Sequence, residues 1–332
     1  MRGLRMFFGA AVAAAIMLAS AASAQDAKHY RFAHDQQLNS GYSVAYDIFS
    51  AKLKELSKGT MLVDQYPGAQ LGQEPQILQL VKSGDIEFAV VSCANTSTIS
   101  PQAGVMSLHF LFRNEDHIIK SLGDEKVFAA ISDMIDDTAP GIHAIGLATQ
   151  GFRYLYGKKE VHKVDDIKGY KVRVQATATE DTMFPAYGAQ TVHMPFGSVY
   201  TSLQTGVVDF AENGMNVYLI NRHYEVAPVL SKTEHEANNA IVWVSDKLWQ
   251  SLSAEQKQWV TAAAREVSVQ EPRRGFELEH TAAAKLEKMG VKIVIDVDKP
   301  GFQAIADPYL DKLAHDLGPH AEKIKNLIRA IN

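Results

Sequence analysis

Between Ser253 and Met289 the sequence keeps one continuous helical pattern. Ser253-Ala254-Glu255-Gln256 opens it as a capping box, in which the serine oxygen accepts from an orphan backbone N–H and Gln256 reaches back. At 1.5 Å per residue, roughly 37 residues would span about 55 Å. That exceeds the width of one α/β lobe, and a chain of 332 residues suits two domains. Pro272 and Gly275 predict a bend partway along.

The rest of the chain alternates strands with helices. His29 to His34 reads as a first strand, and Tyr42 to Leu56 as a helix with Ala45, Ile48, Phe49, Leu53 and Leu56 on one face. Met61-Leu62-Val63 predicts a strand, Glu74 to Lys82 a short helix, and Glu87 to Val91 a nearly all-apolar central strand. A second such unit begins near Ala148. Gly151 to Tyr156 and Gly169 to Val174 alternate; Thr179 to Tyr187 and Gly197 to Gln204 read as helices; Val207 to Phe210 reads as a buried strand. Pro308 to Ile331 predicts a last helix. This order predicts an α/β fold with a mainly parallel sheet.

The first residues predict export. Arg2 and Arg5 precede an apolar stretch from Met6 to about Ala19, and Ala22-Ser23-Ala24 forms a small-residue cleavage pattern. This is the layout of a secretory signal peptide over residues 1–24; the apolar run is short for a membrane span. No cysteine follows it, which excludes a lipid anchor. The one cysteine, Cys93, excludes an intrachain disulfide and reads as a small packed residue. A formal charge of −5 argues against binding to nucleic acid or an anionic membrane.

Catalytic and metal motifs are missing. The sequence has no GxGxxG, P-loop, HExxH or GxSxG, and its 12 histidines are scattered without metal-ligand spacing. No metal, cofactor or catalytic residue is therefore expected.

Arg173 is the conspicuous residue. It sits in Val172-Arg173-Val174, and side chains alternate across a strand, so the valines share one face and Arg173 takes the other. An arginine flanked by buried valines must reach solvent, an acidic partner or a ligand. Its two parallel N–H donors match a carboxylate. Arg153 holds a comparable place between Phe152 and Tyr154. For each of them, a structural ion pair and a ligand contact account for the pattern equally well.

Here the sequence resembles a family. Gly169-Tyr170-Lys171-Val172-Arg173-Val174, the run from Met194-Pro195-Phe196-Gly197 through Gln204-Thr205-Gly206-Val207-Val208-Asp209, and Glu212-Asn213 resemble the DctP-type solute-binding proteins of tripartite ATP-independent periplasmic (TRAP) transporters. The likeness extends upstream through Gln70-Leu71-Gly72 and Leu80 to Phe88, and downstream through Thr233 to His235 and the long helix.

The resemblance implies a two-lobed periplasmic binding protein, type II-like, with a long helix crossing both lobes. Lobe I would comprise 27–150 plus 239–278, and lobe II 151–238 plus 279–332. It implies a periplasmic monomer that captures a small organic acid and delivers it to the small and large membrane subunits of a TRAP transporter, with no catalysis. The family's carboxylate-holding arginine matches Arg173, the arginine opening its second lobe matches Arg153, its asparagine matches Asn213, and its pocket aromatic matches Phe196. Asp35, Gln36, Gln73, Ser92 and Asn95 fall in the matching first-lobe loops, and His235 completes the binding candidates. Where the family usually reads Gln-Glu-Asn-Pro, this chain reads Ala211-Glu212-Asn213-Gly214, and glycine leaves the backbone freer there. A periplasmic sensor is one alternative. A secreted enzyme acting on an organic acid, with His193 and His235 as acid and base, is another.

Overall fold

The computed structural model describes residues 27–332; the signal-peptide segment lies outside them. The strands are β1 Lys28–Ala33, β2 Met61–Tyr66, β3 Phe88–Ser92, β4 Ile142–Gly157, β5 Lys171–Val174, β6 Gln190–His193, β7 Phe210–Asn213, β8 Val229–Ser245 and β9 Lys292–Val294. The helices are α1 Gly41–Leu56, α2 Glu74–Ser83, α3 Cys93–Thr96, α4 Glu115–Gly123, α5 Glu125–Thr138, α6 Ala178–Ala186, α7 Val199–Thr205, α8 Met215–Ile220, α9 Asp246–Ser251, α10 Ala254–Lys288, α11 Lys299–Leu317 and α12 Pro319–Ala330. No described helix is long and apolar enough to cross a membrane.

Sheet order is β2-β1-β3-β8-β4-β7-β5-β6, with β9 beside β8. The pairs β1–β2, β1–β3, β5–β6, β5–β7 and β8–β9 are parallel. The antiparallel pairs all involve β4 or β8. The sheet is therefore mixed, parallel in five of its eight pairings. The reason is that β4 and β8 are long enough to serve two halves. Their outer stretches (142–149 against 239–245) join β1, β2 and β3, and their other stretches (152–157 against 229–237) join β5, β6 and β7. The register between them shifts between Thr149 and Phe152, where Gly151 takes φ +77°. A Cβ at Gly151 would lie 2.7 Å from Glu279 Cγ, so both the backbone angle and the space favour glycine.

α10 is continuous over 35 residues, about 53 Å. Both bonds of its Ser253–Gln256 capping box are present, at 3.0 and 3.2 Å. It packs on α1 and β4 of the first half and on α8 of the second. Two buried glutamates fasten it on either side of the β4 register shift. Glu271 accepts from the Thr149 N–H at 2.8 Å, and Glu279 accepts from the N–H groups of Met215 and Asn216 at 2.7 and 2.8 Å.

In the first half Phe32, Phe49 and Phe88 fill the space between the sheet and α1, with ring centroids 5.8 and 4.9 Å apart. Such pairs contribute about 0.5–1.5 kcal/mol each beyond their buried area. The expected last helix from Pro308 to Ile331 is instead two. α11 begins at Lys299 and accommodates Pro308, and the chain breaks at Gly318-Pro319 with Gly318 at φ +125°. Proline has no N–H to continue a helix but suits the first position of a new one. The strand expected at Val207–Phe210 lies three residues later, because Gly206 ends α7 in the left-handed region and leaves Val207 exposed.

Candidate functional site

The carboxyl ends of β1, β3, β5 and β7 converge on a cleft between the halves, the place where open α/β sheets bind ligands. Its outer part encloses about 200 Å³ and is lined by Asp35, Gln73, Glu74, Asn95, Arg173 and Phe196, among others. Asp35, Glu74, Asn95, Arg173 and Phe196 also line a narrow inner part, joined there by Gln36, Ser92, Gln150, Arg153, Asn213 and Asn238.

Val172 and Val174 are fully buried, and Arg173 points from the opposite face of β5 into this cleft. Its Nε and Nη2 donate to the Met194 carbonyl at 3.1 and 2.8 Å. Its Cζ lies 5.9 Å from the centre of the Phe196 ring. Among the described residues it takes part in no ion pair, although it is 2% exposed. Burial lowers its pKa, but a guanidinium stays protonated. Arg173 is thus a buried cation whose charge is unmatched by contact and whose side chain is held by a neutral carbonyl.

Arg153 lines the inner part and is placed differently. Its Nε and Nη2 bind the two carboxylate oxygens of Glu212, and Glu236 lies 3.5 Å from its Nε. Burial works against its charge, but Glu212 and Glu236 outweigh it and hold the pKa above the ordinary value. Of the two accounts open for these arginines, a structural ion pair fits Arg153.

Asn213 Oδ1 accepts from the Gly214 N–H at 2.9 Å and from Asn238 Nδ2 at 2.8 Å, which leaves its own amide donor for the cleft. Gly214 sits at φ −65°, an angle proline itself adopts, so its freedom is not what places it there. Space is: a Cβ would lie 2.4 Å from the Gln150 carbonyl oxygen.

Glu74 is the residue that sequence reasoning missed. At the first turn of α2, its carboxylate accepts from Tyr42 Oη at 3.0 Å, the Ser92 N–H at 2.9 Å, the Ser92 hydroxyl, and Asn95 Nδ2 at 2.6 Å. It fixes the loop after β3. The signal available was its position directly behind Gln70-Leu71-Gly72-Gln73 at a helix start. Ser92 in turn accepts from Gln175 Nε2 at 2.8 Å, and Gln73 accepts from the Gly197 N–H at 3.0 Å, so both tie the two halves together. Asp35 is buried with Gln36 Nε2 2.9 Å from its Oδ1; burial, then Glu74, push its pKa well above the usual carboxylate range.

His235 is not brought to the cleft. It is fully enclosed beneath it, with Nδ1 2.7 Å from Thr233 Oγ1 and its ring 4.9 Å from that of His109. The Phe184 ring packs against it, with centroids 5.7 Å apart. His193 stands at the mouth, 2.9 Å from Asp181. His109, His235 and Glu236 have donor atoms within 4.8 Å of one another, a donor set suited to a cation, with Arg153 beside Glu236 on one side.

These buried groups make stability pH-dependent. Burial raises Glu180 and Glu279 to about 8, and it lowers His34 and His109 to about 4. Between the unfolded value near 4.5 and the folded value of about 8, each raised carboxyl binds more protons in the folded state, so stability falls as pH rises. The lowered histidines act oppositely, but only below about 6.5. From pH 6.5 to 8 the ligand-free protein is expected to lose stability, by up to about 1.4 kcal/mol per pH unit for each carboxyl. Urea unfolding midpoints that are equal or higher at pH 8 would contradict this.

The profile of the family described as bacterial extracellular solute-binding protein, family 7, matches residues 32–316. A solute-binding protein of Chromohalobacter salexigens is 30% identical over 275 residues, covering 82% of this chain and 80% of that protein. The 2,3-diketo-L-gulonate-binding periplasmic protein of Escherichia coli (strain K12) is 25% identical over 311 residues, covering 93% and 94%. The crystal structure of a TRAP periplasmic solute binding protein from Xanthobacter autotrophicus, with bound β-D-galacturonate, superimposes with a TM-score of 0.84 at 29% identity, covering 91% of this chain and all of that one.

Proposed function

This chain belongs to the bacterial extracellular solute-binding proteins of family 7, which are periplasmic, and on that basis we propose that it captures a hydroxylated organic acid of the sugar-acid class for a TRAP transporter. The observation that carries the reading is Arg173, a buried cation in no ion pair among the described residues, aimed into a cleft lined by polar side chains. A ligand carboxylate supplies the missing charge. Phe196 packs beside that pair, Asn213 donates to the ligand, and Asp35, Gln36, Gln73 and Asn95 bind its hydroxyls, with Ser92 holding Glu74, Asn95 and Gln175 in place beside them. Arg153 supports the inner end of the site through Glu212 rather than by neutralising the ligand. His235 acts only as part of the packing beneath.

The relatives above are binding proteins rather than enzymes, and static recognition suits these residues better than proton transfer. Lobe I comprises 27–150 plus 239–278, and lobe II 151–238 plus 279–332, whose last helix α12 rests on α5 of lobe I. The lobes close by a hinge at 149–151, 237–239 and the middle of α10. The protein acts as a monomer and presents its closed form to the small and large membrane subunits.

A thermal-shift screen of aldonates, uronates and related acids tests this. A cognate ligand at 100 times its dissociation constant stabilises by about 2.7 kcal/mol. Absence of a shift with every acid would overturn the reading.

A further inference from the structure

We propose that the first-half wall of this cleft excludes dicarboxylates, and that Asp35 is the residue that sets this preference. The inference rests on the acid-binding reading above and narrows it to ligands with one carboxylate and hydroxyls at the far end.

The cleft is chemically lopsided. Its second-half side offers the unmatched cation Arg173 and the free amide donor of Asn213. Its first-half side is richer in acceptors, with amide donors at Gln73 and Gln150 as well. Asp35 Oδ1 takes one bond from Gln36. Gln36 Oε1 and Gln150 Oε1 are buried acceptors without partners among the described residues. Glu74 adds a second carboxylate, whose four donors come from the protein itself. A hydroxyl has a proton to give to such a wall. A carboxylate has none; its charge would face Glu74 and would compete with Asp35 for Arg173.

Crowding there is already high. Burial and Glu74 hold Asp35 toward its protonated form, and Arg173 is the cation that opposes them. Once a ligand carboxylate occupies Arg173, that opposition is spent. A second carboxylate at the far end would enter only with a further proton. Like charges set against each other across a contact cost several kcal/mol, which discriminates ligands by orders of magnitude.

The test pairs each monoacid with the dicarboxylate of the same carbon skeleton: D-galacturonate and D-galactonate with galactarate, D-glucuronate and D-gluconate with D-glucarate, L-threonate with L-tartrate. Titration calorimetry on the native protein is expected to give the best monoacid an affinity about 100-fold or more above its dicarboxylate. Asp35→Asn keeps the acceptor that Gln36 uses and removes the carboxyl that competes for Arg173, and it is expected to shrink that ratio to about tenfold or less. A dicarboxylate within tenfold of its monoacid on the native protein, or a ratio unchanged in Asp35→Asn, overturns the role of Asp35. Arg173→Ala separates the two levels. If it leaves monoacid affinity intact, the acid-binding reading fails; if monoacid binding is lost while the pair ratio was small, only the exclusion fails. Binding of neither series overturns both.

Discussion

Arg173→Ala is expected to weaken binding of the cognate acid by about 30- to 5000-fold. The range follows from the roughly 2–5 kcal/mol lost when one member of a desolvated charge pair is removed. The structure sharpens why the loss falls on binding. Arg173 is held by the Met194 carbonyl and the Phe196 ring, neither of which carries a charge that its removal would strand. Alanine therefore takes away the ligand's partner without breaking a contact ion pair of the protein. Calorimetry that finds affinity unchanged in this variant removes Arg173 from the site. Arg173→Lys tests geometry separately, because an ammonium lacks the planar pair of donors.

Arg153→Met is expected to act on the fold instead, lowering the unfolding free energy by about 3–5 kcal/mol. Glu212 would then keep a buried carboxylate with no cation in contact, and Glu236 would lose the charge 3.5 Å away. Adding Glu212→Leu should recover most of the loss, since a buried pair exchanged for apolar groups of similar volume is often neutral. Urea titrations of the two variants decide the matter. A single variant within about 1 kcal/mol of the parent would show that the pair is not what holds this part of the molecule. The two arginines, alike in the sequence, thus separate into opposite kinds of measurement.

That separation marks where sequence reading stops. Alternation in Val172-Arg173-Val174 was enough to place the valines in the core and the arginine on the other face. It could not tell which arginine meets an acid from its own chain, because Glu212 and Arg153 are brought together only by β7 pairing with β4. The capping box of α10 was legible to the atom, since its two bonds are local. β8 was not legible as one strand. Its middle reads Ser231-Lys232-Thr233-Glu234-His235-Glu236, polar without alternation, yet most of it is buried because it runs under the cleft from one half to the other. Glu74 was passed over for a related reason. An acidic residue at a helix start is ordinary, and only the approach of Tyr42, Ser92 and Asn95 turns it into an anchor.

The position of β8 also dictates when the molecule can form. In the sheet it lies between β3 and β4, although it follows both in the chain by some seventy residues or more. Until Ser245 has been delivered, β3 and β4 have no neighbour to share, and the first half has a gap at its centre. Pairings this distant along the chain slow the search for the native arrangement. Assembly of the first half therefore waits on a segment contributed late. A polypeptide passed through a membrane N-terminus first would stay unfinished for most of its passage, and it would commit to its final shape only near the end.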